Sequence, residues 1–162
     1  MDYEIIQLVE KEIKFCNLCG RCAFEECLLD DDFNQILKKM IRADGIIFSF
    51  PYYLPIPSKF LCFLERLDII RHFRKHHGYS PRLKPNKSYV FPLDKKPCCI
   101  FIVSGTGKIK KGYVKIVTDI LEGLGMEVIQ KVYLKGEEIG EVLKDKKGLA
   151  NCKKSIQKLM KF

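Results

Sequence analysis

Four closely spaced cysteines are the residues of this sequence with the clearest chemistry. They form the run Cys16-x2-Cys19-x2-Cys22-x4-Cys27, which places four thiols within twelve residues. Two consecutive x2 gaps are typical of segments that bind iron–sulfur clusters, because a short turn of backbone can offer three thiolates to one cube of iron and sulfide. Gly20 follows the second cysteine and permits a backbone conformation with positive φ. The spacing therefore predicts a [4Fe-4S] cluster in a loop over residues 15–28.

Zinc is the alternative metal for four thiolates. Structural zinc is usually bound by two separated C-x2-C pairs, which approach the ion from two directions, whereas these four thiols lie in one run. The N-terminus has neither the basic start nor the apolar stretch of a secretory signal, so a cytoplasmic location is predicted and disulfides are not favoured there. No proline follows Cys27, which differs from the ferredoxin pattern. The run favours an iron–sulfur cluster over zinc, and a site without metal is the third reading.

Strands and helices alternate around the cysteine run. Strands are predicted at Tyr3 to Leu8, Ile46 to Phe50, Cys98 to Val103 and Met126 to Tyr133. Helices are predicted at Phe33 to Ile41, after an acidic cap at Asp30 to Asp32, and at Ser58 to Ile70, Val114 to Leu124 and Leu149 to Leu159. The run from Ile46 to Phe50 does not alternate, so we expect a parallel strand that is buried on both faces. The pattern predicts an α/β fold with a mostly parallel sheet.

The remaining cysteines and the overall composition indicate one globular domain. Cys62, Cys98, Cys99 and Cys152 fall at apolar positions of the predicted elements, as small core residues do. The 162 residues are 47% hydrophobic and 30% charged, which is ordinary for a single domain and excludes disorder over most of the length. The longest apolar stretches are strand-sized, well below the roughly 20 residues that a membrane span needs. We therefore predict one domain over residues 1–162 and no membrane span.

Two loops follow predicted strands, at the position where an open parallel sheet binds its ligands. The first loop, residues 49–58, contains the adjacent tyrosines Tyr52 and Tyr53, which could flank a flat conjugated ring. Packing of these rings against their own sheet is the alternative. The second loop, Ser104 to Gly107, has small residues that let backbone amides approach a ring edge or a phosphate. It is not a P-loop, because the required glycine spacing and the Ser or Thr after Lys108 are missing.

In their order along the chain, these segments resemble the iron-sulfur flavoproteins and their relatives in the NAD(P)H-dependent FMN reductase family. The matching segments are the cysteine run, Asp31-Asp32, Ala43-Asp44-Gly45-Ile46-Ile47, Pro51-Tyr52-Tyr53, Ile56-Pro57-Ser58 and Phe63-Leu64-Glu65-Arg66. They cover roughly the first seventy residues, and the remainder matches only by its strand and loop pattern. The resemblance implies a flavodoxin-like three-layer sandwich.

The same resemblance implies FMN as a cofactor. Its ring contacts would come from Pro51, Tyr52, Tyr53, Leu54, Ser104, Gly105, Thr106 and Gly107. The implied activity is that of an oxidoreductase that passes electrons between the [4Fe-4S] cluster and FMN, since a flavin exchanges one or two electrons and a cluster one. No side chain is predicted to act as an acid, base or nucleophile. A homo-oligomer is expected if one subunit's cluster must reach another subunit's flavin.

The resemblance has one departure. The family opens with a strand and a loop that holds the FMN phosphate, and the segment before Cys16 has no counterpart of them. We therefore expect an N-terminally truncated chain, phosphate contacts from another chain or from a basic stretch, or a protein that has lost flavin. The alternative function is a non-enzymatic flavodoxin-derived module whose cluster, or zinc, is a structural clip or a redox sensor.

Positive charge concentrates in a basic stretch, defined as residues 71–97. It carries eight Lys or Arg against the single acid Asp94, within a chain of net charge +9. A solvated segment that completes a helix end is the simplest interpretation. The functional interpretations are a docking face for an acidic electron carrier, such as a ferredoxin, or contacts to the phosphate of FMN or of a nicotinamide dinucleotide. Nucleic-acid binding is not favoured, because no ribonucleoprotein motif accompanies the charge.

Overall fold

The computed structural model describes residues 2–53, 56–76, 88–106 and 108–162. The helices are α1 (Phe33–Arg42), α2 (Ser58–His76), α3 (Lys111–Gly123) and α4 (Lys146–Leu159). The strands are β1 (Ile46–Pro51), β2 (Pro97–Ser104) and β3 (Glu127–Lys135), and short 3₁₀ turns cover Leu8–Glu10, Arg21–Ala23 and Glu141–Lys144. Among the helices described here, none combines the length and the hydropathy that a bilayer crossing requires.

The chain divides into two compact units. The first comprises Met1–Arg42 and Ser58–Pro92, and the second comprises Ala43–Pro57 and Leu93–Phe162. The first unit therefore contains the cysteine run with α1 and α2, and the second contains the strands with α3 and α4. The expectation of one domain stays a prediction.

The second unit is built on a parallel sheet with the strand order β1-β2-β3. Strand β2 lies in the middle and is buried along nearly its whole length, as its unbroken apolar run predicts. Helix α4 packs on the cluster Cys99, Phe101, Val132 and Leu134 through Leu149, Cys152, Ile156 and Leu159. Cys98 and Cys99 are fully buried as predicted, whereas Cys152 is only half-buried. The parallel α/β architecture is confirmed.

Strand β1 differs from the prediction. Phe48 and Phe50 are buried, but the alternate residues Ile47 and Ser49 are exposed, so one face of the strand is buried and not two. The reason is its place in the described sheet, where β1 pairs only with β2 and occupies the edge. An unalternating apolar sequence therefore did not distinguish an edge strand from a central one.

The predicted strand from Tyr3 to Leu8 is wrong. The described residues from 2 to 7 have no regular structure, and the side chains of Tyr3 and Ile5 are exposed. The segment that follows is held by a side chain of α2 instead of by a sheet: Lys59 Nζ donates to the carbonyls of Val9 at 3.2 Å and Lys11 at 2.9 Å. Six apolar-rich residues form a strand only where another strand satisfies their backbone groups, and no strand of the described ranges pairs with them.

The first unit has its core between α1 and α2. Phe33, Ile36, Leu37 and Met40 of α1 are buried as their spacing predicts. Helix α2 contributes Phe60, Phe63, Leu64, Leu67, Ile70 and Phe73. The rings of Phe33 and Phe63 have their centroids 5.3 Å apart. Helix α2 also runs six residues beyond the predicted Ile70, since basic side chains are compatible with a helix C-terminus.

Gly125 lets the chain turn between α3 and β3. Its φ is +88°, and a Cβ there would lie 1.8 Å from Asp94 Oδ1 and 3.3 Å from Asp94 Cα. We expect Gly125→Ala to lower the free energy of unfolding by about 1–3 kcal/mol, because an L side chain is strained at this φ and also displaces Asp94. Urea unfolding followed by circular dichroism measures the change.

Gly112 is the matched control for this substitution. It lies inside α3, and an added Cβ would meet nothing within 4 Å. We expect Gly112→Ala to leave stability unchanged or raise it by about 0.5–1 kcal/mol, because alanine is the better helix former. Equal effects of the two substitutions would contradict the assigned role of Gly125.

Candidate functional site

Helix α2 supports the cysteine segment along one of its faces. The supporting side chains lie at positions i, i+3, i+7 and i+15, a spacing that returns to the same side of a helix. They belong to Lys59, Cys62, Arg66 and Arg74. Cys62 Sγ and Arg66 Nη1 both donate to Lys14 O, at 3.6 Å and 3.2 Å. Arg74 Nε donates to Cys22 O at 3.1 Å. All four donate to backbone carbonyls, so they position the segment whether or not its cysteine side chains bind a metal.

The backbone of the cysteine loop turns through two left-handed residues. Gly20 has φ of 73°, as the sequence predicts, and Leu18 has φ of 54° without being glycine. The Leu18 N–H points back to Cys16 Sγ at 3.4 Å. A backbone amide that donates to a cysteine sulfur stabilises the thiolate, which is the form that binds metal.

The four thiols differ in exposure, and the other three act electrostatically on Cys22. Cys22 is buried at 6% exposure, Cys16 and Cys27 are half-buried, and Cys19 is exposed. Burial is the main cause that raises the pKa of the Cys22 thiol to about 11, and negative charge on Cys27, Cys16 and Cys19 contributes the rest. The chain alone therefore disfavours the thiolate form of Cys22, and a bound cation would relieve that cost while its proton is released.

Arg66 is the largest fully buried side chain among the described residues of the first unit, at 1% exposure. Its guanidinium donates through Nη1 to Asp31 Oδ2 and through Nη2 to Cys27 Sγ, which is 3.2 Å away. The Cζ atom lies 4.0 Å from the centroid of the Phe33 ring, within the range of a cation–π contact. One guanidinium thus joins the helix, a buried carboxylate and a cysteine sulfur.

Asp31 balances this buried charge. Burial by itself raises the pKa of its carboxyl, but Arg66 and the backbone N–H groups of Lys14 and Phe33 outweigh burial, so the pKa lies below its usual value. Burial likewise opposes the charge of Arg66, while Asp31 and Cys27 raise the pKa of the guanidinium. Sequence reasoning placed Asp31 in a helix cap and Arg66 in a family segment, and it did not pair them.

The sulfurs do not converge on a single point. In the described part of the chain, no group of three or more His, Cys, Asp or Glu side chains could hold one metal ion. A cubane spreads its four irons over separate corners, so its thiolates stand further apart than the ligands of one tetrahedral zinc. The donor set of four thiols on a wide loop, with amide and guanidinium donors beside them, fits a cluster in its chemistry.

The two predicted flavin loops lie next to each other in the second unit. Pro51 at the end of β1 is in register with Val103 near the end of β2, and Tyr52 N donates to Val103 O at 2.7 Å. Tyr53 is exposed, while Ser104 is buried and donates through Oγ to Lys108 O at 3.3 Å. Leu54 and Gly107 lie outside the described residues, as does the part of the basic stretch from 77 to 87.

Tyr113, at the start of α3, is a residue of this region that sequence reasoning missed. Its ring meets Tyr52 edge to face, with centroids 4.9 Å apart. Its hydroxyl is buried and has no hydrogen-bond partner among the described residues. Burial, and then the neighbouring Tyr52, raise the pKa of the Tyr113 hydroxyl. The Tyr113 hydroxyl lies beside the two predicted flavin loops. A bound ring with polar atoms could supply the hydrogen-bond partner that this hydroxyl lacks among the described residues.

Comparison with solved structures identifies the class of fold. The Trp repressor binding protein from Bacillus subtilis superposes with a TM-score of 0.57 and 19% sequence identity, over 81% of this chain and 84% of that one. The chain therefore has the flavodoxin-like α/β fold that its sequence predicts. A sequence profile described as NADPH-dependent FMN reductase matches residues 1–139. The chain belongs to this family.

Curated relatives carry a narrower description. An iron-sulfur flavoprotein of Methanosarcina thermophila is 31% identical over 70 residues, which are 42% of this chain and 37% of that protein. Another, from Methanocaldococcus jannaschii, is 44% identical over 54 residues, 33% of this chain and 28% of that protein. The chain spans about a third of the length of these two relatives. The descriptions of the family and of these two relatives all refer to a flavin.

Proposed function

We propose that this chain binds a [4Fe-4S] cluster through Cys16, Cys19, Cys22 and Cys27 and passes electrons between that cluster and FMN. The observation that carries the proposal is the cysteine loop itself. It gathers four thiols within twelve residues, and two non-thiol donors, Leu18 N and Arg66 Nη2, point at sulfurs within it. A neutral thiol in a protein core gains little from such donors, whereas a thiolate that binds iron is stabilised by them.

For FMN, the supporting residues lie in the second unit. Tyr52 and Tyr53 would position the ring, Pro51 and Leu54 would line it, and the backbone of Ser104, Gly105, Thr106 and Gly107 would approach its edge. When bound together, FMN and the cluster would connect two-electron and one-electron chemistry. The protein's contribution is to bind and orient them and to tune the cluster, and no side chain has to act as an acid, base or nucleophile.

The partners of the proposed oxidoreductase follow from charge and geometry. The last turns of α2 carry Arg71, Arg74 and Lys75, so an acidic one-electron carrier such as a ferredoxin is the proposed exchange partner. A homo-oligomer would bring one subunit's cluster to another subunit's flavin. A reducing cytoplasm is the proposed location, because thiols stay available for a metal there.

Anaerobic reconstitution tests this function. The full chain is incubated with ferrous iron, sulfide and a thiol reductant, desalted, and then titrated with FMN. We expect about four irons and four sulfides per chain, with a broad absorbance shoulder, because four thiolates complete one cubane. We also expect quenching of FMN fluorescence, because stacking on tyrosine rings quenches a flavin.

The other outcomes of this experiment reject the proposal in different ways. A brown protein that does not quench FMN would support the non-enzymatic module with a structural or redox-sensing cluster. A colourless protein with stoichiometric zinc would support a zinc clip and would reject both iron–sulfur functions. Incubation of the same chain with zinc alone is the control for metal preference.

A further inference from the structure

The Arg66 guanidinium donates hydrogen bonds both to a sulfur of the proposed cluster site and to a buried carboxylate. Nη2 donates to Cys27 Sγ at 3.2 Å, and Nη1 donates to the carboxylate of Asp31. Both side chains are shielded from water, since Arg66 is 1% and Asp31 0% exposed. Buried charges are screened less than surface charges, so each acts on its neighbours more strongly than a charge at the surface would.

The arrangement is also rigid. Arg66 is fixed by Lys14 O at 3.2 Å and by the Phe33 ring beneath it, and Asp31 is fixed by the N–H groups of Lys14 at 2.8 Å and Phe33 at 3.1 Å. A donor that is already oriented toward a sulfur does not have to reorganise when the charge on that sulfur changes. Its effect therefore appears in the equilibrium between the two redox states.

Reduction adds one negative charge to a cluster and its thiolates. A cation that donates to a ligand sulfur stabilises the reduced state more than the oxidised state, and a nearby carboxylate does the opposite. Hydrogen bonds to the sulfurs are among the main means by which a protein sets the potential of a cluster.

We propose that Arg66 raises the reduction potential of the cluster through its hydrogen bond to Cys27, and that Asp31 limits this rise. The inference rests on the proposed function, because it requires the cluster. Arg66 and Asp31 are positioning and tuning residues that do not ligate iron. The potential of the centre is thus set by a pair whose members are 35 positions apart in sequence.

The test is a redox titration of reconstituted full-length protein with dithionite as the reductant, followed by absorbance and electron paramagnetic resonance. We expect Arg66→Gln to lower the ratio of reduced to oxidised cluster at a fixed potential by about tenfold, a downward shift of about 59 mV for a one-electron couple. We expect Asp31→Asn to shift the midpoint upward, because it removes a negative charge and keeps the shape and an acceptor. Opposite signs distinguish electrostatic tuning from general damage to the loop.

Two further variants keep the inference testable if Arg66→Gln does not fold. The double variant Arg66→Gln/Asp31→Asn has no unpaired buried charge, and we expect its midpoint to lie below that of Asp31→Asn alone. Arg74→Gln is the matched control on the same helix, since the described hydrogen bonds of Arg74 go to the backbone carbonyls of Cys22 and Glu25 and to no sulfur. We expect a shift less than half that of Arg66→Gln.

The possible failures can be told apart. A wild-type chain that takes up no cluster would overturn the proposed function and this inference with it. A wild-type cluster whose midpoint stays the same in Arg66→Gln, or moves in the same direction in Arg66→Gln and Asp31→Asn, would overturn the inference alone.

Discussion

The Cys22→Ala variant should bind less than one iron per chain after anaerobic reconstitution, against about four in the wild type. Cys22 is the most buried of the four thiols, and its carbonyl is held by Arg74 on α2. Removing the thiolate leaves one iron of the proposed cluster without its protein ligand, and water cannot replace that ligand at a buried position unless the loop rearranges. Iron and acid-labile sulfide analysis measures the loss.

Cys62→Ala is the control for this prediction. Cys62 and Cys22 have the same exposure, 6%, and both belong to the first unit. Cys62 donates to Lys14 O from α2, but it lies outside the cysteine run. We expect Cys62→Ala to retain about four irons, because only a small apolar contact and a weak hydrogen bond are lost. Equal iron loss in both variants would show that the effect comes from packing and would reject Cys22 as a ligand.

The second large effect concerns stability. We expect Asp31→Ala to lower the free energy of unfolding of the iron-free chain by about 3–5 kcal/mol, because Arg66 is left as an unpaired buried charge. The backbone N–H groups of Lys14 and Phe33 lose their acceptor in the same variant. Urea unfolding followed by circular dichroism measures the change.

Asp32 is the adjacent residue and the matched control. Its carboxylate is 30% exposed, accepts one hydrogen bond from Glu12 N at 2.9 Å and lies 3.9 Å from Lys11 Nζ. Because water can replace these partners, we expect Asp32→Ala to cost only about 1 kcal/mol. If the two alanine variants lose the same stability, the Arg66–Asp31 pair is not the buried contact described above.

Periodicity was sufficient to predict most of the elements. The apolar run from Cys98 to Val103 and the helical spacing from Phe33 to Met40 correspond to β2 and α1 within one or two residues. The strand at Tyr3 to Leu8 and the burial of the Ile47 and Ser49 face of β1 were predicted wrongly for one shared reason. Burial of a strand depends on which strands pair beside it, and that information is not contained in the strand's own residues.

The candidate site could be predicted only in its local part. The four cysteines and Gly20 are neighbours in sequence, so their spacing indicates their chemistry directly. Arg66 contacts Cys27 from 39 positions away, and Tyr113 contacts Tyr52 from 61 positions away. Contacts of this kind depend on how helices pack, and a single sequence offers no periodic signal for them.

The support of the cysteine segment by one face of α2 links metal status to the integrity of the chain. Because Lys59, Cys62, Arg66 and Arg74 all hold that segment, the free energy released when the proposed cluster binds is shared with the helix. Without a cluster this added free energy is absent, so we expect the helix of the iron-free chain to open more readily and to be cleaved sooner by proteases. Cellular turnover would then remove empty chains faster than filled ones.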